Sequence, residues 1–440
     1  MHTRETKDKD FGRPPTAFLY QRIAIPILLP LVARFFRMKG KVDPRIAEVE
    51  GPIVAVGHHT SYLDQFAMGI LFGKRRVNFV AGSFLSRNRF VGSLFKKLGV
   101  IPKTQFRSDS MALKAMLKVL KRGGVLGIFP EATRFVDGTA VPFDDALARL
   151  IKKTNSAVVT IQVHGGYSTW PRWSESGIRK GYAECGVNGI LTVEQVKGMS
   201  VVEVQEVLLQ KTAYNEYDWL RENPHTYKSK AIAAGVENVA FICPACRKEK
   251  VMRTEGNRLF CSVCGNEVRM NSQGFFEAAN EKSKFFEDLH QWVSWEREQI
   301  GKRIDADDMY KDCGVTLLLL DEEERYRVVG RGSVSFSEKS IVYTGTACEI
   351  SEGLVCTSKM KKSLLEERSL ADSDFVEAPQ VRKVFDVAKM RGVVAQYGEY
   401  FELIEAGGQV NRFYTQDIRE ILPIQMMLLK LKEKYTAAEV

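Results

Sequence analysis

Residues 52–64, PIVAVGHHTSYLD, hold a short apolar run that stops at two adjacent histidines and is followed closely by an aspartate. Ile53, Val54 and Val56, with the small Ala55 and Gly57 among them, carry no polar side chain. A strand that is apolar on both faces belongs inside a parallel sheet. The histidines fall at its carboxyl end, the edge where open α/β sheets bind ligands. Ser61 to Asp64 has the S-x-x-D form that opens a helix, and Phe66, Ile70 and Leu71 continue with helical spacing up to Gly73. Residues five apart on one helix diverge by roughly 140°, so His59 and Asp64 meet only if the chain bends between them.

A carboxylate on one imidazole nitrogen fixes the tautomer and leaves the other nitrogen free to take a proton, an arrangement suited to activating a hydroxyl. Alone, H-x4-D also reads as a helix cap beside a loop histidine. Residues 125–134, VLGIFPEATR, supply a second apolar run that ends in Pro130, Glu131 and Arg134. HHTSYLD followed some seventy residues later by FPEATR resembles the glycerophospholipid acyltransferase family, whose blocks are NHxSxxD and FPEGTR, over residues 15 to 235. The resemblance implies His59 as catalytic base, Asp64 as its orienting acid, and Glu131, Thr133 and Arg134 as acceptor-binding residues. His58 stands where the family usually has Asn, and Ala132 where it has Gly. The intervening basic block corresponds to GVIPKTQFR, residues 99–107, with Lys103 and Arg107 as phosphate contacts. VVTIQV, residues 158–163, corresponds to the fourth block and puts Thr160 at the usual proline.

The chain of 440 residues, 45% hydrophobic, is long enough for several cores. Eight cysteines without a secretory signal pattern point to a reducing compartment. Residues 1–110 hold 19 Lys or Arg against 8 Asp or Glu, whereas the remainder holds 45 against 46. Within the basic part, AFLYQRIAIPILLPLVARFFR, residues 17–37, has an uncharged core at 23–33 flanked by Arg22, Arg34 and Arg37. Eleven residues fall short of the ~20 needed to span a bilayer but suit its interface. The alternative is a core helix kinked at Pro26 and Pro30. No stacking aromatics interleave with the charges in a nucleic-acid module, so nucleic acid is not an expected partner.

FICPACRKEKVMRTEGNRLFCSVCG, residues 241–265, places Cys243, Cys246, Cys261 and Cys264 in C-x2-C-x14-C-x2-C. Two such knuckles predict a closed, structural four-cysteine zinc ribbon. Apolar spacing predicts one helix over 194–210 ahead of the ribbon; beyond a connecting helix expected at 275–300, residues 313–413 turn to strand patterns, followed by a helix at 417–435. Strands closed by one helix resemble a pleckstrin-homology or GRAM-like barrel, which implies a lipid-headgroup or protein ligand.

The fold class expected is therefore α/β: a mostly parallel sheet flanked by helices, then a zinc ribbon, then a small β-barrel-like domain capped by a C-terminal helix. The boundaries expected are a basic membrane-interface segment at 1–45, the acyltransferase domain at 46–238, the ribbon at 239–271, a helical linker at 272–310 and the β-rich domain at 311–440. The family resemblance implies transfer of a fatty acyl group from acyl-CoA or acyl carrier protein to a hydroxyl of a lysophospholipid or glycerol phosphate. The cysteine spacing calls for structural Zn2+ in the ribbon, and the acyl transfer that the resemblance implies requires no catalytic metal. The expected setting is cytoplasmic, with peripheral, monotopic association at the inner face of a membrane. The competing reading is a non-catalytic adaptor that binds lipid or protein through its ribbon and barrel.

Overall fold

Val54 and Val56 point to one side of their strand and Ile53 and Ala55 to the other, and the computed structural model buries both sets completely. The structure describes residues 11–86, 89–103, 109–321, 326–347 and 380–438. The chain divides into two compact units, one of Met1–Arg172, Ser176–Ile232 and Ser272–Gly274, the other of Trp173–Glu175, Ala233–Asn271 and Phe275–Val440.

The first unit is built on seven strands, β1 (Met38–Lys39), β2 (Ile53–Gly57), β3 (Val77–Gly82), β4 (Ile101–Lys103), β5 (Val125–Ile128), β6 (Ala157–His164) and β7 (Ala183–Leu191), in the order β1-β7-β6-β2-β5-β3-β4. Every pairing is parallel except β6 with β7. Ile53 and Ala55 pack with Met68, Leu71 and Phe72 of the helix Asp64–Phe72. On the opposite face, Val54 and Val56 pack with Met116, Val119 and Leu120 of the helix Ser110–Lys121. Asp109 caps that helix by accepting the Ala112 N–H at 2.8 Å.

Two expected helix boundaries change in this unit. The helix anticipated at 194–210 is two helices, Val193–Gly198 and Val201–Thr212. Ser200 and Glu203 form a capping box that restarts the chain, although the apolar spacing runs through it. At the dyad, the helix begins at Asp64, with Leu63 preceding it. The Ser61 hydroxyl accepts the Leu63 N–H at 3.2 Å, and the Asp64 carboxylate accepts the Ser61 N–H at 3.0 Å.

The segment ahead of the sheet is helical, a π-helix over Phe18–Leu28 running into an α-helix over Leu29–Phe36. It is 19 residues long, only 6% of its apolar window is buried, and by length and composition alone it could cross a membrane. Phe18, Ile27, Leu31 and Phe35 are exposed.

In the second unit, β8 (Met252–Glu255), β9 (Arg258–Cys261), β10 (Glu267–Met270) and β11 (Phe276–Ala278) form an antiparallel sheet in the order β11-β10-β9-β8. The connecting helix spans Leu289–Asp305 rather than starting near 275, because Phe276–Ala278 pairs with β10 instead. Asp288 caps it, accepting the Gln291 N–H at 2.8 Å. The fully buried Glu296 accepts the Ile242 N–H at 2.7 Å and Trp292 Nε1 donates to the Ile242 carbonyl at 3.1 Å, which fixes the ribbon to this helix.

The last sheet contains β12 (Cys313–Leu320), β13 (Tyr326–Phe336), β14 (Ser340–Ala347), β15 (Gln380–Asp386), β16 (Gly392–Gln396), β17 (Tyr400–Ile404) and β18 (Val410–Thr415). Their antiparallel order is β15-β14-β13-β12-β18-β17-β16, and the helix Ile421–Ala438 follows. Five of these strands are legible as apolar runs. β15 is not, because its edge position lets it carry Arg382 and Lys383. β18 is not, because it buries Arg412, whose guanidinium pairs with Glu402 at 2.7 Å and lies 3.8 Å and 3.7 Å from the ring centres of Tyr326 and Tyr400.

Candidate active site

β2 and β5 run side by side in register, Ile53 beside Val125 and Val56 beside Ile128, so both polar blocks leave the sheet at one edge. His59 then turns back on Asp64, with Nδ1 2.7 Å from Oδ2. Asp64 is fully buried, and the Thr60 hydroxyl donates to its other oxygen at 2.5 Å. Three donors therefore hold one carboxylate: the imidazole, the Ser61 amide and the Thr60 hydroxyl. A Cβ on Gly166 would collide with that hydroxyl, which ties the close approach of the β6 loop to the dyad. The His59 ring stacks on Phe129 at 5.0 Å and is one-fifth exposed. Its Nε2 meets no protein hydrogen-bond partner among the described residues.

His58 is a core residue. Its Nε2 accepts the Val163 N–H at 2.9 Å, its ring lies 4.5 Å from Tyr214, and burial pushes its pKa down to about 4. The two adjacent histidines are thus separated by solvation, one kept neutral in the interior and one open at the edge.

Glu131 sits between two backbone amides, accepting from His59 N at 3.3 Å and Val141 N at 3.4 Å. Burial pushes its carboxyl up to about 8, and these amides offset only part of the desolvation. Ala132 adopts φ 59°, a left-handed conformation at the position where the family block has Gly. The Thr133 hydroxyl accepts from Arg172 Nη1 at 2.5 Å. The Arg134 guanidinium lies 3.8 Å from the Tyr62 ring centre and donates to its hydroxyl at 3.1 Å. Burial lowers the Arg134 pKa to about 10, still cationic at neutral pH.

Lys103 ends β4 on the same edge, three strands from β2, on the order of 14 Å at ~4.8 Å per strand. Arg107 lies outside the described residues. Thr160 is buried within β6, with its hydroxyl donating to the Gly189 carbonyl at 3.3 Å. His164 stacks on Trp219 at 5.3 Å, in a packing role. Sequence reading missed Thr60, Tyr62 and Arg172 as partners of the site. The first two lie inside HHTSYLD, but Arg172 arrives on a distant loop with no local pattern to mark it.

Away from this edge, Cys243, Cys246, Cys261 and Cys264 bring their sulfurs within 4.8 Å of one another. The Cys243–Cys264 and Cys246–Cys261 separations are 3.6 Å and 3.7 Å. Four thiolates bound tetrahedrally at ~2.3 Å lie about 3.8 Å apart, so the cluster fits a structural metal. The Val263 and Cys264 amides point at Cys261 Sγ, at 3.4 Å and 3.5 Å, as knuckle amides do around a charged thiolate.

The raised Glu131 carboxyl sets a pH dependence. The folded chain holds this proton up to about 8 while an unfolded one releases it near 4.5, so stability falls as pH rises across that window. Glu131→Gln should flatten the change of melting temperature between about pH 5 and pH 8. An unchanged slope in thermal unfolding would show that Glu131 ionises normally.

The acyltransferase family model matches residues 39–164, which include both strand-end blocks. A chloroplastic 1-acyl-sn-glycerol-3-phosphate acyltransferase of Arabidopsis thaliana is 30% identical over 149 residues, 33% of this chain and 41% of the relative. The 1-acyl-sn-glycerol-3-phosphate acyltransferase of Bacillus subtilis is 29% identical over 76 residues, 17% of this chain and 38% of the relative. The chain thus spans about two-fifths of the length of these curated relatives. The crystal structure of a 1-acyl-sn-glycerophosphate acyltransferase from Thermotoga maritima aligns at TM-score 0.36 and 18% identity, covering 45% of this chain and 80% of that one. The matched segment begins within β1 and ends at the last residue of β6, so the part of the chain similar to the acyltransferase family model is the sheet that carries the His59 and Arg134 blocks.

Proposed function

We propose that the protein transfers a fatty acyl group from a thioester, acyl-CoA or acyl carrier protein, to a hydroxyl of a lysophospholipid or glycerol phosphate. The observation that carries this reading is the His59–Asp64 contact of 2.7 Å at a strand end, with Arg134 on the neighbouring loop. His59 Nε2 takes the proton of the acceptor hydroxyl as its oxygen attacks the thioester carbonyl. Asp64 holds Nδ1–H and stabilises the imidazolium that forms. Collapse of the tetrahedral intermediate breaks the C–S bond, and His59 returns the proton to the departing thiolate. Arg134 grips the acceptor phosphate, with Tyr62 orienting it. Lys103, at the end of β4, supplies further positive charge along the same edge, and Arg107 is assigned the same role from its place in the basic block of the sequence. Glu131 acts through the His59 loop, which it holds by the backbone.

The relatives are named for 1-acyl-sn-glycerol-3-phosphate, and that acceptor class is the one we assign here. The exposed apolar helix at Phe18–Phe36, flanked by basic residues, supports attachment to an anionic membrane surface from its cytoplasmic side. Zinc is the metal we assign to the four cysteines, because a closed all-thiolate site suits it and leaves no open position for catalysis.

Free-thiol release from acyl-CoA or acyl carrier protein, dependent on a lysophosphatidate acceptor, tests the activity directly. His59→Ala should cut kcat by about 10² to 10⁴ and leave acceptor binding nearly intact, and Asp64→Asn should also lower kcat. Arg134→Ala should instead raise the acceptor KM and leave the donor KM nearly unchanged. Turnover of wild-type size in His59→Ala would exclude the dyad. His58→Ala should lower thermal stability before it affects chemistry, because it strips a buried acceptor from the Val163 amide.

The ribbon carries its own test. Elemental analysis should find about one zinc per chain. Cys261→Ser should lower that content and open residues 241–270 to proteolysis, because structural zinc supplies folding free energy on the order of 10 kcal/mol. Metal-free protein with an intact ribbon would refute the zinc site.

A further inference from the structure

The helix Arg89–Lys97 is nine residues long, below the ~12–15 at which isolated helices persist in water. None of its described side chains is buried. Phe90 is 88% exposed, Leu94 49% and Val91 36%, and the three fall within an arc of about 100°. Leu85, on the turn leading into the helix, is also exposed. Lys96 and Lys97 complete the last turn. A short helix that shows three large apolar side chains to water and ends in two lysines needs a further surface to lie on.

Topology says which surface. The crossovers from β2 to β3 and from β3 to β4 both move toward the same edge of the sheet. Right-handed connections then place the helices Asp64–Phe72 and Arg89–Lys97 on one face, whereas the return from β4 to β5 sends Ser110–Lys121 to the other. The N-terminal apolar helix packs on that first face, since a Cβ on Gly69 would lie 3.4 Å from both methyls of Leu29. The two exposed helices are also joined directly: the Lys97 carbonyl accepts the Thr16 N–H at 2.8 Å and the Thr16 hydroxyl at 3.0 Å, two residues before Phe18 opens the apolar helix.

We infer that the helix Arg89–Lys97 is a second membrane-contacting element, laid with its Phe90–Leu94 side in the interface of an anionic bilayer next to the N-terminal helix. Charge complementarity favours this occupant, because the exposed Lys74, Lys96 and Lys97 follow or end the helices of this face. Phe18, Leu31 and Phe35 extend the apolar surface along the N-terminal helix. Two elements fix the rotation of the domain on the bilayer, which one helix alone leaves open. This inference rests on the membrane-surface part of the proposed function and is independent of the acyl-transfer chemistry.

The test uses the full chain and vesicles of phosphatidylcholine with phosphatidylglycerol, without thioester or acceptor, so that failure of the catalytic reading leaves the result untouched. Hydrogen–deuterium exchange should show vesicle-dependent protection of a peptide covering 89–98 as well as one covering 18–36. The double variant F90S/L94S should lose on the order of tenfold in vesicle partitioning, with circular dichroism and thermal unfolding unchanged. Lys96→Gln with Lys97→Gln should weaken binding to phosphatidylglycerol vesicles and leave neutral vesicles unaffected. Protection of 18–36 without protection of 89–98 would overturn the inference. So would protection of 89–98 by acyl carrier protein and not by vesicles, which would assign this side to an acidic protein.

Discussion

Parallel pairing of β2 with β5 brings together two loops that lie some seventy residues apart in the chain. The register is fixed by burial on both faces: a slip of one residue would exchange Val54 and Val56 with Ile53 and Ala55 and misfit two differently shaped cores. With the register fixed, His59 and Phe129 emerge on adjacent strands and stack, and Glu131 reaches the His59 amide. The position of the dyad is therefore a property of the hydrophobic core rather than of its own hydrogen bonds.

Solvation then gives similar residues different behaviour. His58 and His59 are neighbours, yet one is sealed beneath Tyr214 with a depressed pKa and the other opens to the edge. Asp64 and Glu131 are both buried carboxylates in one region. Asp64 accepts three short hydrogen bonds, whereas Glu131 has two long ones and is pushed up to about 8.

The features legible in the sequence were those that depend on local spacing. Apolar runs ending in polar blocks marked β2 and β5, and the cysteine spacing marked the cluster in the ribbon. Features set by distant partners were not legible. Arg172 meets Thr133 across a loop, β18 hides Arg412 between two tyrosines, and β15 carries edge charges that disguise a strand. The break at Ser200 was a different case: its capping box is present in the sequence, but continuous apolar spacing across residues 194–210 outweighed it.

Ala132 shows how one methyl group can set the stiffness of a binding loop. The left-handed conformation costs a residue with a Cβ about 1–2 kcal/mol, and it persists because the Ala132 amide bonds to Phe129 and both oxygens of Glu131 are fastened. Glycine would sit there without strain and with many more accessible conformations. Alanine leaves the turn fewer ways to relax, so under the proposed function Thr133 and Arg134 are already in place for the acceptor phosphate and lose less conformational entropy on binding it. A family position usually given to flexibility is here given to preorganisation.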